Sequence, residues 1–326
     1  KFVDYWKATD PRRVYTGASV GNSWQWQPHN EYHVKAGARG LSWAGAQPES
    51  ESDYRTRIDT VKQPYVTHET GQWCVFPNFN EIRKYTGVNK AKNFEIFRDI
   101  LNDNQMGSQS HDFMMASGKL QALCYKHEIE KTLRTPDYAG FQLLALNDYS
   151  GQGTALVGVL DVFFEEKGYI NAEQFRRFCS PTVPLARIPK FVYANNETFH
   201  ADIEVSHFGA APLESAKTVY TIKDKFGKVY AHGTVGTHHI PIGNLYSLGS
   251  VDMTLEGIDT PQKLNLEVRI EGCDAVNDWD FWVYPAQVEL VQGTVYTTDT
   301  LDAKALAVLQ DGGNVLITAA GKIQYG

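Results

Sequence analysis

One carboxylate in the sequence stands among side chains that could bind and cleave a polar substrate. Glu69 follows the short β-prone run Tyr65–Thr67, and a glycine two residues later allows a turn. A strand that ends in this way presents the acid at the C-terminal edge of a parallel sheet or barrel, where catalytic residues are drawn from the rim. His68, Gln72 and Trp73 add hydrogen-bonding groups and an aromatic face. The alternative is a surface carboxylate at the end of a strand.

A second polar pair follows another predicted strand. Residues 141–146 are almost continuously apolar, which is typical of a strand in a parallel sheet covered on both faces. Asn147 and Asp148 come directly after it and should lie at the same edge as Glu69. Their polar groups could bind substrate hydroxyl groups, or they could cap the loop, as such residues often do.

A long irregular stretch, residues 20–63, is rich in Gly, Trp, His and Asn. Loops of this length within a compact domain are usually functional. Trp24 and Trp43 lie in it, and their flat rings suit stacking on a sugar, although core packing is the alternative. His33 could lie on a short strand and face the substrate, or it could have a structural role.

The stretch around Glu69 resembles the nucleophile strand of glycoside hydrolase family 2, the family of β-galactosidases, β-glucuronidases and β-mannosidases. The resemblance rests on an ordered set of four stretches: Asp10–Thr16, His68–Phe79, Gly140–Asp148 and Asn277–Pro285. They are similar to the fifth, seventh and eighth strands of the family's barrel and to the end of the following β-sandwich. The resemblance covers about residues 1–286. The Glu-X-Gly triplet alone is a weak signal, whereas the ordered set is fairly specific.

The resemblance implies a retaining exo-β-glycosidase with Glu69 as the nucleophile. The residue types and positions described above add the candidate substrate-binding side chains His33, His68, Trp73, Asn147, Asp148, Trp24 and Trp43. A galactoside is the first expectation for the substrate and a glucuronide the second. Arg39 or Arg55 could reach the rim and select a uronic acid.

Glycoside hydrolysis normally needs a second carboxylate, which in a retaining enzyme lies about 5–5.5 Å from the first. In the family it is a glutamate after an asparagine at the end of the fourth strand, which would lie before Lys1. Asn30–Glu31 has this dipeptide in the wrong place, and Asn80–Glu81 and Asn196–Glu197 are worse placed. Glu81 is interpreted as a solvated acid. We therefore expect the acid/base upstream and the isolated chain to be inactive or nearly so.

A non-catalytic carbohydrate-binding or scaffold protein is the alternative function, in which Glu69 only forms hydrogen bonds to a glycan. The net charge of −7 argues against nucleic acid and anionic membranes as partners, and no apolar run is long enough to span a bilayer. The four cysteines form no C-x-x-C or metal-like cluster. Without a metal cluster or a nucleotide-binding glycine motif, no cofactor is expected, although members of the family sometimes use magnesium or sodium.

The helices and strands predicted around these residues indicate a multidomain protein with α/β and all-β parts. Residues 1–188 should be the C-terminal half of a (β/α)8 TIM barrel, with a buried strand at 14–19 and helices at 91–104 and 109–134. The second helix should form part of the outer layer, with its apolar stripe distinct from charged positions such as Lys126, Glu128, Glu130 and Lys131.

Period-two alternation then predicts an immunoglobulin-like β-sandwich in residues 189–287. A β-α-β pattern in residues 288–326 predicts the start of an α/β domain. A half barrel has open sheet edges, so we expect a homo-oligomer or pairing with a missing N-terminal half. By analogy with the family, the location would be periplasmic or at the cell surface.

Overall fold

The computed structural model describes residues 1–17, 28–41, 45–153, 155–288 and 293–322. They form a mixed α/β protein with more strand than helix. The chain divides into two compact units, Lys1–Tyr284 and Pro285–Gly326. None of the helices within the described ranges is long and apolar enough to cross a membrane.

The helices and strands of the first unit are, in chain order, α1 (Phe2–Thr9), β1 (His33–Lys35), α2 (Arg55–Ile58), β2 (Tyr65–Thr70), α3 (Lys92–Asp103), α4 (Ser110–Leu133), β3 (Tyr138–Leu143), α5 (Ala172–Arg176), β4 (Thr182–Arg187), β5 (Val192–Ala194), β6 (Thr198–His207), β7 (Leu213–Asp224), β8 (Val229–Ile240), β9 (Gly243–Thr254), β10 (Gln262–Ile270) and β11 (Val276–Tyr284). The second unit contains β12 (Val295–Thr298), α6 (Ala303–Gln310) and β13 (Asn314–Ile317).

The first three strands form a parallel sheet in the order β1-β2-β3. Strand β2 is therefore central, with His33 opposite Tyr65 on one side and Phe141 opposite Thr67 on the other. The described residues form no closed barrel. Parallel strands of this kind are normally covered on both faces, and α4 supplies one cover by packing Tyr125 and neighbouring apolar side chains beneath the sheet.

The strand predicted at residues 14–19 is not formed in its described part, which ends at residue 17. The backbone N–H of Tyr15 donates to the carboxylate of Glu31 at 2.9 Å. Its carbonyl accepts from the N–H of Glu31 at 3.0 Å. Because a side chain takes the place of a neighbouring strand, this stretch runs as a loop.

Helix α4 differs from the prediction in its charged residues, which are buried. Glu128 is 2% exposed and Glu130 is fully buried, while Lys126 and Lys131 are 9% and 6% exposed. Removing charges from water is costly unless they are paired and hydrogen-bonded. Each of these side chains indeed has partners elsewhere in the chain, so α4 is a central element rather than an outer layer.

The strands from β4 to β11 form a β-sandwich of two sheets. One has the order β5-β11-β10-β7-β8 and the other β4-β6-β9. Alternate residues of each strand point into the core, where the rings of Phe199 and Phe281 stack with their centroids 4.1 Å apart. Trp279 belongs to this core.

The second unit is a small β-α-β element. Strands β12 and β13 are parallel and pair directly, and α6 connects them. The side chain of Asp302 caps the first turn of α6 by accepting from the N–H of Ala305 at 2.7 Å. The residues with the β-α-β sequence pattern are thus strand, helix and strand in the structure.

Candidate functional site

Glu69 lies at an irregularity near the C-terminal end of β2. From Thr67 to Thr70, this strand has one residue more than the stretch of β3 that it faces. Glu69 has a φ of 57°, in the left-handed region that residues other than glycine rarely adopt. An extra residue of this kind is a β-bulge, a feature that re-aims side chains and is common beside active sites.

The two carboxylate oxygens of Glu69 have different surroundings. Oε2 lies 3.3 Å from Nη1 of Arg39 and accepts from Nε2 of Gln72 at 3.1 Å. Oε1 lies 3.7 Å from Nε2 of His68. The side chain is 36% exposed. One oxygen is thus fixed by two donors, and the other is less constrained and can approach a substrate.

Arg39 also stabilises the bulge itself. Its Nη1 donates to the carbonyl oxygens of His68 at 2.7 Å and of Glu69 at 2.8 Å. The carbonyl of Arg39 in turn accepts from Nη1 of Arg57 at 2.9 Å. The sequence does not distinguish Arg39 from Arg55 as a candidate for the rim. In the structure, Arg55 pairs with Asp137 at 3.5 Å.

Behind the site, Glu128 of α4 accepts three hydrogen bonds. Its Oε1 accepts from the N–H of Gly40 at 2.7 Å. Its Oε2 accepts from the N–H of Gly71 at 3.2 Å and from Nε1 of Trp73 at 2.8 Å. Burial raises the pKa of Glu128, and these three donors oppose that effect by stabilising the carboxylate. Nothing near Glu128 in the sequence indicates this role, because its partners are distant in the chain.

Two of the predicted substrate-binding residues lie next to Glu69 in the chain. His68 contacts Oε1 of Glu69, as described, and its Nδ1 lies 3.1 Å from Oε1 of Gln142 on β3. Trp73 packs its ring against the apolar cluster under the sheet, and its N–H is bound to Glu128. The structure therefore gives Trp73 a packing role.

His33 lies apart from Glu69. It opens β1 at the level of Tyr65, four residues before Glu69, which corresponds to about 13 Å along a strand. It is 2% exposed, and burial followed by the nearby Lys35 lowers its pKa. The structural role weighed for this residue fits these surroundings.

Asp148 is a buried ion-pair partner. Its Oδ2 lies 2.6 Å from Nζ of Lys167, and its Oδ1 accepts from the N–H of Gly158 at 2.9 Å. Burial raises the pKa of Asp148 and lowers that of Lys167. Asn147 donates to the carbonyl of Asp148 at 3.0 Å. These contacts match the loop-capping alternative. Trp24 and Trp43 lie outside the described residues.

Glu81 is not the solvated acid that the sequence suggests. It lies in a short 3-10 helix, Phe79–Lys84, and is 1% exposed. Burial, followed by repulsion from Asp161, raises the pKa of Glu81 to about 7. The sequence signal for its burial was the apolar pair Phe79 and Ile82 on either side, which packs against a neighbouring core cluster.

The glutamates of the other two Asn-Glu dipeptides have structural partners. Glu31 accepts from the N–H of Tyr15 at 2.9 Å and lies 3.6 Å from Nζ of Lys7. Glu197 pairs with Lys190 and accepts from the N–H of Ala194 at 2.7 Å. Within the described ranges, no group of three or more His, Cys, Asp or Glu side chains could hold a metal ion.

Comparison with known families gives one match. Residues 197–285, which run from β6 to the end of the sandwich, match the model of a domain of unknown function, DUF8488. The match is confined to part of the sandwich and does not include Glu69. Among curated proteins, none matches the chain.

Among solved structures, the chain is similar to a β-glucuronidase from Bacteroides uniformis at 10% identity, with 92% of this chain and 31% of that chain covered and a TM-score of 0.29. It is similar to an exo-chitosanase from Amycolatopsis orientalis at 13% identity, with 52% and 19% covered and a TM-score of 0.32.

A third similar structure is a DNA-bound alkylpurine DNA glycosylase from Pseudomonas fluorescens, at 10% identity, with 57% and 54% covered and a TM-score of 0.26. The chain spans less than a third of the length of the two glycoside hydrolases. Scores this low do not establish a shared fold.

Proposed function

We propose that this chain carries the nucleophile of a retaining glycoside hydrolase, with Glu69 in that role. The observation that supports the proposal is the environment of the Glu69 carboxylate at the C-terminal end of the central parallel strand. Arg39 and Gln72 hold Oε2, which stabilises negative charge and orients Oε1 for attack. The bulge that aims this side chain is itself held by Arg39, a backbone arrangement that would be costly to keep without a function.

The proposed reaction has two steps. Glu69 forms a bond to the anomeric carbon while the glycosidic bond breaks and the leaving oxygen takes a proton from an acid. Water, deprotonated by the same group, then cleaves the glycosyl-enzyme and restores the carboxylate. Because Glu31 and Glu197 are engaged in structural contacts and Glu81 is buried, we propose that the acid/base lies outside this chain, in the remaining part of a (β/α)8 barrel.

For the substrate, we propose an acidic sugar ahead of a galactoside. The Nη1 atom of Arg39 serves the bulge and Glu69, whereas its Nε and Nη2 atoms form no hydrogen bond to the described residues. Its side chain is 24% exposed. A guanidinium edge with two parallel N–H groups binds a carboxylate in bidentate fashion, which favours a terminal uronic acid.

The test is mechanism-based labelling of the full-length protein that contains this chain. We expect a 2-deoxy-2-fluoro glycoside of glucuronate, or failing that of galactose, to label the peptide that carries Glu69. Peptide mapping identifies the site, and a Glu256→Gln variant, changed in an exposed turn of the sandwich, should be labelled equally. A label on any other residue refutes the assignment.

A non-catalytic carbohydrate-binding protein is the second candidate. One observation favours it: a cavity of about 650 Å³ lies between α5 and the sandwich, with Arg176, Arg177 and Arg269 in its lining and without Glu69. Glycan binding without any label or turnover in the full-length protein would support this second function.

A further inference from the structure

The segment that carries Arg39 and the segment that follows Glu69 both lack regular secondary structure. Arg39 and Gly40 follow the short strand β1, and Gly71 to Trp73 follow β2 without regular secondary structure. The pair formed by Arg39 and Glu69 therefore depends on what holds these two segments together behind the site.

Glu128 contacts both segments. Its Oε1 binds the N–H of Gly40, the residue next to Arg39, at 2.7 Å. Its Oε2 binds the N–H of Gly71, two residues after Glu69, at 3.2 Å. The third bond, from the indole of Trp73 at 2.8 Å, fixes the rest of the turn.

The backbone at Gly71 has little freedom to move if the carboxylate of Glu128 is removed. Gly71 has a φ of 83°, and an added Cβ would lie 1.9 Å from the ring of Tyr125. The hydroxyl of Tyr125 also lies 2.9 Å from the carbonyl oxygen of Gly71. The backbone of Gly71 thus packs closely against α4, and its buried N–H donates to Glu128 on this helix.

We infer that Glu128 is a positioning residue that holds the Arg39 segment and the Glu69 turn in the arrangement in which Arg39 binds Oε2 of Glu69. One carboxylate can accept all three bonds, whereas an amide in its place has a single acceptor oxygen and brings N–H groups toward other N–H groups. Its effect on turnover rests on the proposed function, but its effect on the two segments does not.

The experiment compares Glu128→Gln with Glu130→Gln in the full-length protein. Both glutamates lie on α4 and are buried, but Glu130 binds the sandwich residues Asn277 and Trp279. The control therefore repeats the substitution on the same helix without touching the site. A third variant, Trp73→Phe, keeps an aromatic ring and both backbone donors and removes the indole donor.

Hydrogen–deuterium exchange, followed by mass spectrometry, is read in peptides that contain Gly40 and Gly71. We expect at least 10-fold faster exchange of these amides in Glu128→Gln and no change there in Glu130→Gln. In an active protein, kcat should fall at least 10-fold in Glu128→Gln with KM within threefold, and it should stay within twofold in Glu130→Gln. Trp73→Phe should show a smaller change of the same kind.

The possible outcomes separate the two ideas. If exchange changes as expected but the wild type neither turns over nor labels any glycoside, Glu128 has the inferred role and the proposed function fails. The inference is overturned if the wild type is active and the Glu128→Gln and Glu130→Gln variants have the same amide exchange at Gly40 and Gly71 and the same kcat. If Glu128→Gln does not fold, the test uses Trp73→Phe. Amide exchange at Gly40 and Gly71 that equals the wild type in this variant overturns the inference.

Discussion

The indole N–H of Trp279 donates to the carboxylate of Glu130 at 2.9 Å. Two residues earlier on the same helix, Glu128 accepts from the indole of Trp73 at 2.8 Å. Residues two apart on an α-helix point in nearly opposite directions. Helix α4 therefore presents one buried glutamate to the parallel sheet and another to the sandwich, and each accepts from a tryptophan.

The contact of Glu130 is part of a larger buried network. Asn277 donates to Glu130 at 2.7 Å and to the carbonyl of Pro184 at 2.9 Å. It also accepts from Nζ of Lys126 at 2.6 Å, and that ammonium lies 4.6 Å from the centre of the Trp279 ring. The charges at this contact are thus paired and hydrogen-bonded, as burial requires.

Replacing Trp279 by phenylalanine should destabilise the protein. The variant keeps most of the buried ring but leaves an oxygen of Glu130 without its indole donor, which should cost about 1–3 kcal/mol of unfolding free energy. Denaturant unfolding measures the difference. Trp282→Phe is the control, since the ring of Trp282 makes a cation–π contact with Lys263 and not with Glu130. Equal losses in both variants would contradict a special role for the Glu130 bond.

Replacing Glu69 by glutamine should abolish turnover in the full-length protein. The amide keeps the shape of the side chain and an acceptor for Arg39 but is not a nucleophile. We expect kcat to fall by at least about 10³-fold, while glycan affinity measured by calorimetry changes little. Steady-state kinetics with aryl glycosides gives the first quantity. Full activity of the variant would exclude Glu69 as the attacking group.

Replacing Arg39 by lysine should change substrate preference. The substitution keeps the charge but removes the two parallel N–H groups that bind a carboxylate. We expect kcat/KM to fall about 10- to 100-fold more for a glucuronide than for a galactoside. The ratio of the two substrates cancels any general disturbance of Glu69. Arg55→Lys, at an exposed pair with Asp137, should leave the ratio unchanged, and an unchanged ratio in Arg39→Lys would exclude recognition of an acidic group.

Glu81 should make stability depend on pH near neutrality. Its pKa is raised in the folded protein from 4.5 to about 7, so the folded state binds the proton more tightly than the unfolded state. Its contribution is most favourable below pH 4.5 and is lost as the pH rises to 7. Glu81→Gln should therefore gain stability relative to the wild type over this interval, by on the order of 1–3 kcal/mol.

Chemical unfolding at several pH values checks this prediction. The gain should grow between pH 4.5 and 7 and then stay level. Glu166→Gln, at an exposed position of the neighbouring loop, serves as the control and should show no such trend. A difference between Glu81→Gln and the wild type that does not vary with pH would contradict the raised pKa.

Periodic patterns predicted many elements because they depend on neighbouring residues. The helix predicted at 109–134 is Ser110–Leu133 in the structure, and the one predicted at 91–104 is Lys92–Asp103. The strand that leads to Glu69 was also predicted. By contrast, the strand at residues 14–19 failed in its described part because a side chain from Glu31 occupies its backbone N–H.

The surroundings of the site could not be predicted in the same way. The partners of Glu128 and Glu130 lie 55 and 149 residues away in the chain, so nothing near them in the sequence indicates that they are buried. On a helical wheel they look like ordinary solvated acids. The sequence indicated Glu69 as a candidate residue, but only the three-dimensional contacts show what holds its carboxylate.

The network around Glu130 also determines how the protein can be divided for study. A fragment that ends near residue 188, as the sequence pattern suggests, would lack Asn277 and Trp279. It would expose the fully buried Glu130, and the separated sandwich would carry an indole and an amide without their acceptor. The two parts are best expressed as one polypeptide, from α1 through β11.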